Sequence, residues 1–184
     1  MLRLLPNLIT ALRMAGSVCL LFIQPLSATF YVIYTLCGIS DALDGLTARA
    51  TKNTSEFGAK LDSISDLFFY AVMLLRIFPI LWDRLPAGIW YAAGFVLLLR
   101  LCTYVTAALK YRRFASLHTY LNKLTGLSVF LIPYLIGQSC AAVFCIAVCT
   151  IAGIAAAEEL LIHLRTTVYN PEIKTLIHLR GRHS

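Results

Sequence analysis

The sequence predicts an all-α integral membrane protein of six transmembrane helices, with a short amphipathic N-terminal segment. Three observations predict it. The 184-residue chain is 59% apolar and only 14% charged, with a mean hydropathy of +0.77, a composition foreign to soluble domains. Its apolar runs approach the roughly 20 residues that a helix needs to cross a bilayer, and about six such runs fit in this length. Its Lys and Arg residues sit at the ends of those runs, as in membrane proteins that keep positive charge inside. The net charge of +7 invites a nucleic-acid reading, but scattered basic residues offer no binding face, and no nucleic-acid partner is expected.

The elements follow in chain order. Residues 1–7 form the amphipathic lead, carrying Arg3 and closed by Pro6. This lead begins like a signal peptide but lacks a small-residue cleavage site, so it is expected to be retained. Span one runs from about Leu8 to Ile23, with Thr10 and Arg13 in its first turns, and Pro25 stops it. Span two runs from about Ala28 to Ala50, apolar and aromatic in its outer half and carrying Asp41, Asp44 and Arg49 in its inner half. A polar connector from Thr51 to Glu56 leads to span three, about Phe57 to Ile77, with Asp62 and Asp66 in its first half. Pro79, Trp82, Asp83, Arg84 and Pro86 mark an outer loop, and Trp82 and Trp90 suit the interfacial aromatic belt.

Span four covers about Gly88 to Leu109 and is interrupted by Arg100. A basic inner loop then carries Lys110, Arg112, Arg113, His118 and Lys123. Span five, about Leu124 to Ile136, is short, with Pro133 near its far end. Span six, about Cys140 to Leu161, is rich in alanine and cysteine, and a polar, basic tail from His163 to Ser184 is expected at the membrane surface. Residues 1–184 read as a single membrane domain without internal repeats. The six cysteines fall inside apolar runs without CxxC spacing, so they read as small buried hydrophobes.

Charge sets the orientation. Of the 16 Lys and Arg residues, Arg3, Arg13, Arg49, Lys52, Lys60, Lys110, Arg112, Arg113, Lys123, Arg165, Lys174, Arg180 and Arg182 fall on the side of both termini. Only Arg76 and Arg84 fall on the other, and Arg100 lies within span four. Both termini and the aspartate-bearing connector are therefore expected in the cytoplasm.

The stretch from Asp41 to Asp66 places four carboxylates where charge is least welcome. Each ionised Asp deep in a membrane helix costs roughly 2.5–3.5 kcal/mol, so cations must offset them. At 100° per residue Asp41, Asp44, Gly45 and Ala48 share an arc of about 100° on one helix, and Gly58, Asp62 and Asp66 share a face on the next. The short connector makes these helices antiparallel neighbours, so the two carboxylate faces are expected to meet. An oxygen-only donor set selects a hard divalent cation, Mg2+ or Mn2+, and four carboxylates suffice for two ions. Such a pair is a common clamp for displacement at phosphorus. Gly45 and Gly58 leave room for a ligand against the backbone, and Arg49 offers a fork suited to phosphate oxygens. The competing structural reading is an Arg–Asp network sealing a tightly packed helix pair.

The pattern Asp41-x2-Asp44-Gly45-x2-Ala48-Arg49-x8-Gly58-x3-Asp62-x3-Asp66 resembles the full signature of the CDP-alcohol phosphatidyltransferases, with no position departing from it. Pro6-Asn7-x2-Thr10-x2-Arg13 is similar to the opening of bacterial members such as phosphatidylglycerophosphate and phosphatidylserine synthases. The resemblance implies that Asp41, Asp44 and Asp62 bind two divalent metals on the CDP pyrophosphate, with Asp66 beside them as general base. It also implies that Asn7, Asp44, Gly45, Ala48, Arg49 and Gly58 receive the CDP moiety, and that the alcohol attacks the β-phosphorus to release CMP. The partners implied are CDP-diacylglycerol, a small polar alcohol and membrane lipids, in a homodimer of the bacterial cytoplasmic membrane with its active site facing the cytoplasm. Asp66 lies about 15 Å down its helix from Glu56, where a lipid-linked phosphate and a polar acceptor would meet.

Arg100 is the clue to the acceptor. It lies about 13 Å up span four from Leu109, placing it as a counter-ion for the aspartates or as an acceptor-binding residue. With Arg112 and Lys123 it favours a phosphorylated acceptor such as glycerol 3-phosphate, although these rim charges also suit the positive-inside rule. Serine and inositol phosphate stay open as acceptors, as does transfer from a soluble CDP-alcohol to diacylglycerol. A prenyltransferase would carry its aspartate motifs far apart in a longer chain. A divalent-cation transporter would leave Gly45, Ala48 and Gly58 without a role.

Overall fold

The computed structural model describes residues 5–51, 56–112, 119–166 and 175, and of residues 5–8, 41–51 and 56–63 the helical backbone alone. The described residues form six helices: α1 Leu5–Phe22, α2 Ala28–Thr51, α3 Glu56–Arg84, α4 Ala87–Tyr111, α5 Tyr120–Leu135 and α6 Ala141–Arg165. Three stretches, Ile64–Arg84, Ala87–Tyr111 and Ala141–Arg165, are long and apolar enough to cross a membrane, whereas Ile9–Phe22 and Ala28–Ser40 are shorter apolar helices. Large apolar side chains stand exposed along the helices, among them Phe22, Leu67, Tyr91 and Leu109. Water would penalise a surface of that kind and lipid would not.

The chain divides into two compact units, Met1–Arg84 and Leu85–Ser184. In the first, α1 packs against both α2 and α3. Its core joins the helices through stacked rings: Phe30 on Tyr34 at 6.0 Å, and Tyr34 of α2 on Phe69 of α3 at 5.7 Å. Gly16 lets α1 and α2 approach closely, since a Cβ there would stand 2.7 Å from the Cys37 sulfur. Leu26, with φ 62°, turns the chain after α1, and the Ser27 hydroxyl accepts from the Phe30 amide to open α2. Arg76 reaches back from α3 and donates to the Ile23 carbonyl just beyond the end of α1.

In the second unit α6 packs against both α4 and α5. The Thr103 hydroxyl of α4 lies within hydrogen-bonding distance of the Ala156 carbonyl of α6 at 3.3 Å, both residues buried. The Thr119 hydroxyl caps α5 by accepting from the Asn122 amide. Lys110 Nζ donates to the carbonyls of His163 and Leu164 at 2.7 and 3.0 Å, meeting the negative end of α6 with a positive charge.

Several expected boundaries move. Helix α1 begins at Leu5, because Pro6 fits the first turn, where its missing N–H removes no helical bond. Helix α3 does not stop at Ile77 but runs through Pro79 to Arg84. Phe78 and Trp82, one turn apart with rings 5.8 Å from each other, cover this stretch, so the outer loop shrinks to residues 85–86. Helix α4 takes in Lys110 and Tyr111, and α5 starts early enough to include Lys123. His163 is not a surface tail residue: it lies on α6 and is 1% exposed. Residues 52–55, Arg113, His118, and of the tail residues 167–174 and 176–184, lie outside the described residues.

Candidate active site

The signature residues fall on two helices joined by a short connector. Helix α2 carries Asp41, Asp44, Gly45, Ala48 and Arg49, and α3 carries Gly58, Asp62 and Asp66. The expected helical spacing is therefore present along both backbones. The side chains of Asn7, Asp41, Asp44, Arg49 and Asp62 lie outside the described residues, as does the meeting of the two carboxylate faces.

Asp66 is described, and it is not alone. Its Oδ1 lies 3.0 Å from Nη2 of Arg13 on α1. The same guanidinium donates from Nε to the Ser65 hydroxyl at 3.1 Å. That hydroxyl lies 3.5 Å from the Thr10 carbonyl. The Arg13 backbone carbonyl accepts from the Ser17 hydroxyl at 2.8 Å and faces the Cys37 thiol at 3.8 Å. The Arg13 side chain is 0% exposed and that of Asp66 is 34% exposed. A buried guanidinium thus holds a carboxylate that stays partly open. Removing the carboxylate would leave a fully buried guanidinium uncompensated, a change that in buried pairs typically costs about 3–5 kcal/mol.

This adds to two sequence expectations. Arg13, counted in the sequence among the positive-inside charges, is also the buried counter-ion of Asp66. Arg100, read as a counter-ion of the aspartates or an acceptor-binding residue, has Glu159 as its carboxylate partner among the described residues, at 2.5 Å. Its second terminal nitrogen donates to Asn122 Oδ1 at 2.6 Å. Glu159 escaped the sequence reading because it closes an alanine-rich span, although a carboxylate there carries the same signal as the aspartates. Of the other expected acceptor residues, Arg112 is exposed at the C-cap of α4 in a left-handed conformation, and Lys123 is exposed in the first turn of α5.

The model of the CDP-alcohol phosphatidyltransferase family matches residues 3–157. The chain belongs to that family. Within it, the chain is similar to the CDP-diacylglycerol–glycerol-3-phosphate 3-phosphatidyltransferase of Pseudomonas fluorescens, 33% identical over 93 residues that make up 46% of this chain and 48% of that protein. It is likewise similar to the protein of the same name from Sodalis glossinidius (strain morsitans), 33% identical over 69 residues, 36% of this chain and 38% of that one. The chain thus spans less than half the length of the curated relatives it matches. No solved structure matches it. The family match extends over α1, with Arg13, as well as over both signature-bearing helices.

Proposed function

We propose that this chain transfers the phosphatidyl group of CDP-diacylglycerol to glycerol 3-phosphate and releases CMP. The observation that carries the reading is the environment of Asp66. The last aspartate of the signature is a part-exposed carboxylate gripped by a buried guanidinium, inside a family match that covers most of the chain. The names of the two relatives support the choice of acceptor.

In this reading Asp66 accepts the proton of the acceptor hydroxyl, and that oxygen bonds to the phosphorus that carries the diacylglycerol. The bond from this phosphorus to the bridging pyrophosphate oxygen breaks, and CMP leaves with the electron pair. Arg13 fixes the position of the Asp66 carboxylate and offsets its charge. Asn7, Asp44, Gly45, Ala48 and Gly58 receive the CDP moiety, with Arg49 on its phosphates. Asp41, Asp44, Asp62 and Asp66 stand at helical spacing and offer only carboxylate oxygens, a donor set that fits two Mg2+ or Mn2+ ions. Ions held there would supply electrostatic stabilisation of the charge on the pyrophosphate. Arg100, with Arg112 and Lys123 as a basic rim, takes the phosphate of the acceptor.

The same reading has all six helices crossing the bacterial cytoplasmic membrane, both termini and the site on the cytoplasmic side, and the protein acting as a homodimer. The test is incubation of the purified protein with CDP-diacylglycerol and a panel of glycerol 3-phosphate, serine, inositol and inositol phosphate. Glycerol 3-phosphate is expected to yield one lipid product and CMP. Serine as the sole acceptor used would overturn the assignment, and a cation transporter would release no CMP at all. Asp66→Asn is expected to lower kcat by roughly 10²–10⁴-fold while CDP-diacylglycerol binding is largely kept. A variant retaining more than about a tenth of wild-type kcat would remove Asp66 from the role of base.

A further inference from the structure

The second unit holds a closed polar ring built from three helices. Arg100 of α4 donates to Glu159 Oε2 at 2.5 Å and to Asn122 Oδ1 at 2.6 Å, and Asn122 Nδ2 of α5 donates to the same Glu159 Oε2 at 2.7 Å. Glu159 of α6 is fully buried, while the Arg100 side chain keeps 20% of its surface exposed. His163, one turn further on, brings Nε2 to 3.7 Å from the other carboxylate oxygen. Glu159 and His163 lie beyond residue 157, where the family match ends. A buried ion pair is a poor source of stability, since apolar residues of similar volume do as well or better. A brace between helices therefore does not by itself account for a carboxylate in this place.

We propose that Glu159 is a specificity-determining residue for the acceptor, acting through Arg100. The inference rests on the reading of Arg100 as the group that takes the acceptor phosphate. Glu159 and Asn122 fix the guanidinium plane, so that little side-chain freedom is lost when an anion arrives. The charge of Glu159 also balances that of Arg100, so an incoming anion meets attraction and repulsion from neighbouring groups. A phosphomonoester, with close to two negative charges and several strong acceptor oxygens, competes for the exposed part of the guanidinium. An amino acid, with one carboxylate and a compensating ammonium, gains little there. The guanidinium plane held by Glu159 and Asn122 thereby favours phosphorylated acceptors, while the charge of Glu159 limits how tightly they are held.

Frame and charge separate in two substitutions. Glu159→Gln keeps the size and an acceptor oxygen but removes the charge. Its KM for glycerol 3-phosphate is expected to fall at least about threefold, as a like charge is lifted from beside the guanidinium, with the KM for CDP-diacylglycerol unchanged within about twofold. Asn122→Ala keeps both charges but opens the ring, and should raise the KM for glycerol 3-phosphate by about three- to tenfold while sparing CDP-diacylglycerol. A brace without influence on specificity would harm both substrates together, or show only as a lower unfolding temperature. An unchanged or higher KM for glycerol 3-phosphate in Glu159→Gln overturns the charge role. If that variant does not accumulate, an unchanged acceptor KM in Asn122→Ala overturns the frame. Wild-type protein that does not use glycerol 3-phosphate fails differently: it overturns the acceptor reading itself, before any variant is compared.

Discussion

Each of the two units buries an arginine–carboxylate pair, and the pairs are built in opposite senses. In the first, Arg13 is fully buried and Asp66 is 34% exposed. In the second, Glu159 is fully buried and Arg100 is 20% exposed. Under the proposed function the buried member of each pair is the support, and the exposed member is the one left open to a ligand. The first unit presents a carboxylate, suited to a proton or a metal ion, and the second presents a guanidinium, suited to an anion. Burial therefore distinguishes roles that the bare list of charged residues leaves equivalent.

The largest way to break this comparison is to remove the support in the first unit. Arg13→Met replaces the guanidinium with an apolar chain and leaves Asp66 uncompensated. Turnover should fall at least about 10²-fold, within the usual range for a disabled acid–base group. Unfolding should become easier by about 1–3 kcal/mol, less than for a fully buried pair because the Asp66 side chain left behind is 34% exposed. In combination with Asp66→Asn the losses should be far from additive, because the two residues act as one unit. Fully additive effects on turnover would separate Arg13 from Asp66.

Chelation gives the next effect. With a divalent-metal chelator in excess, activity should disappear and the thermal unfolding midpoint should drop, since the aspartates then repel one another with no ion between them. Sustained activity under those conditions would exclude the metal reading. In the second unit, Arg100→Ala should raise the KM for glycerol 3-phosphate by roughly ten- to a hundredfold, the equivalent of about one charge-assisted bond. The KM for CDP-diacylglycerol should barely move. Equal harm to both substrates would make Arg100 a structural partner of Glu159 and nothing more.

Much of this arrangement is legible in the sequence, and the part that is not has a physical cause. Hydropathy alone locates all six helices, because each is a run of apolar residues bounded by polar or turn-forming ones. Their ends are less legible: Pro79 reads as a stop, yet a proline removes only its own N–H bond and strains one carbonyl, and α3 absorbs it. The four aspartates announce themselves by spacing. Their support does not, since Arg13 and Ser65 are separated by 52 residues and meet only once α1 packs on α3. Near the start of an apolar run, Arg13 looks like any orienting charge. Glu159 is hidden for another reason: the alanines and cysteines before it set the character of the whole span, and only the fold brings Arg100 and Asn122 to it.

The smallest predicted effect concerns how closely the helices pack within each unit. A Cβ on Gly16 would stand 2.7 Å from Cys37 Sγ and 3.5 Å from Ile33 Cγ2, whereas a Cβ on Gly153 would meet Val96 at an ordinary 3.6 Å. Both glycines lie inside helices, where alanine is intrinsically favoured by about 1 kcal/mol. At Gly153 that preference acts unopposed, so Gly153→Ala should stabilise by about 0.4–1 kcal/mol. At Gly16 the added methyl displaces a buried thiol that faces the Arg13 carbonyl, and overpacking of this kind costs about 1–3 kcal/mol. Gly16→Ala should therefore destabilise by about 1 kcal/mol net, or lower the unfolding midpoint by about 2–4 °C in a chain of this size. Cys37→Ala removes the obstructing sulfur, so in that background Gly16→Ala should become neutral or stabilising. If Gly16→Ala destabilises equally with and without the Cys37 thiol, the close approach of α1 to α2 is not what requires glycine at that position.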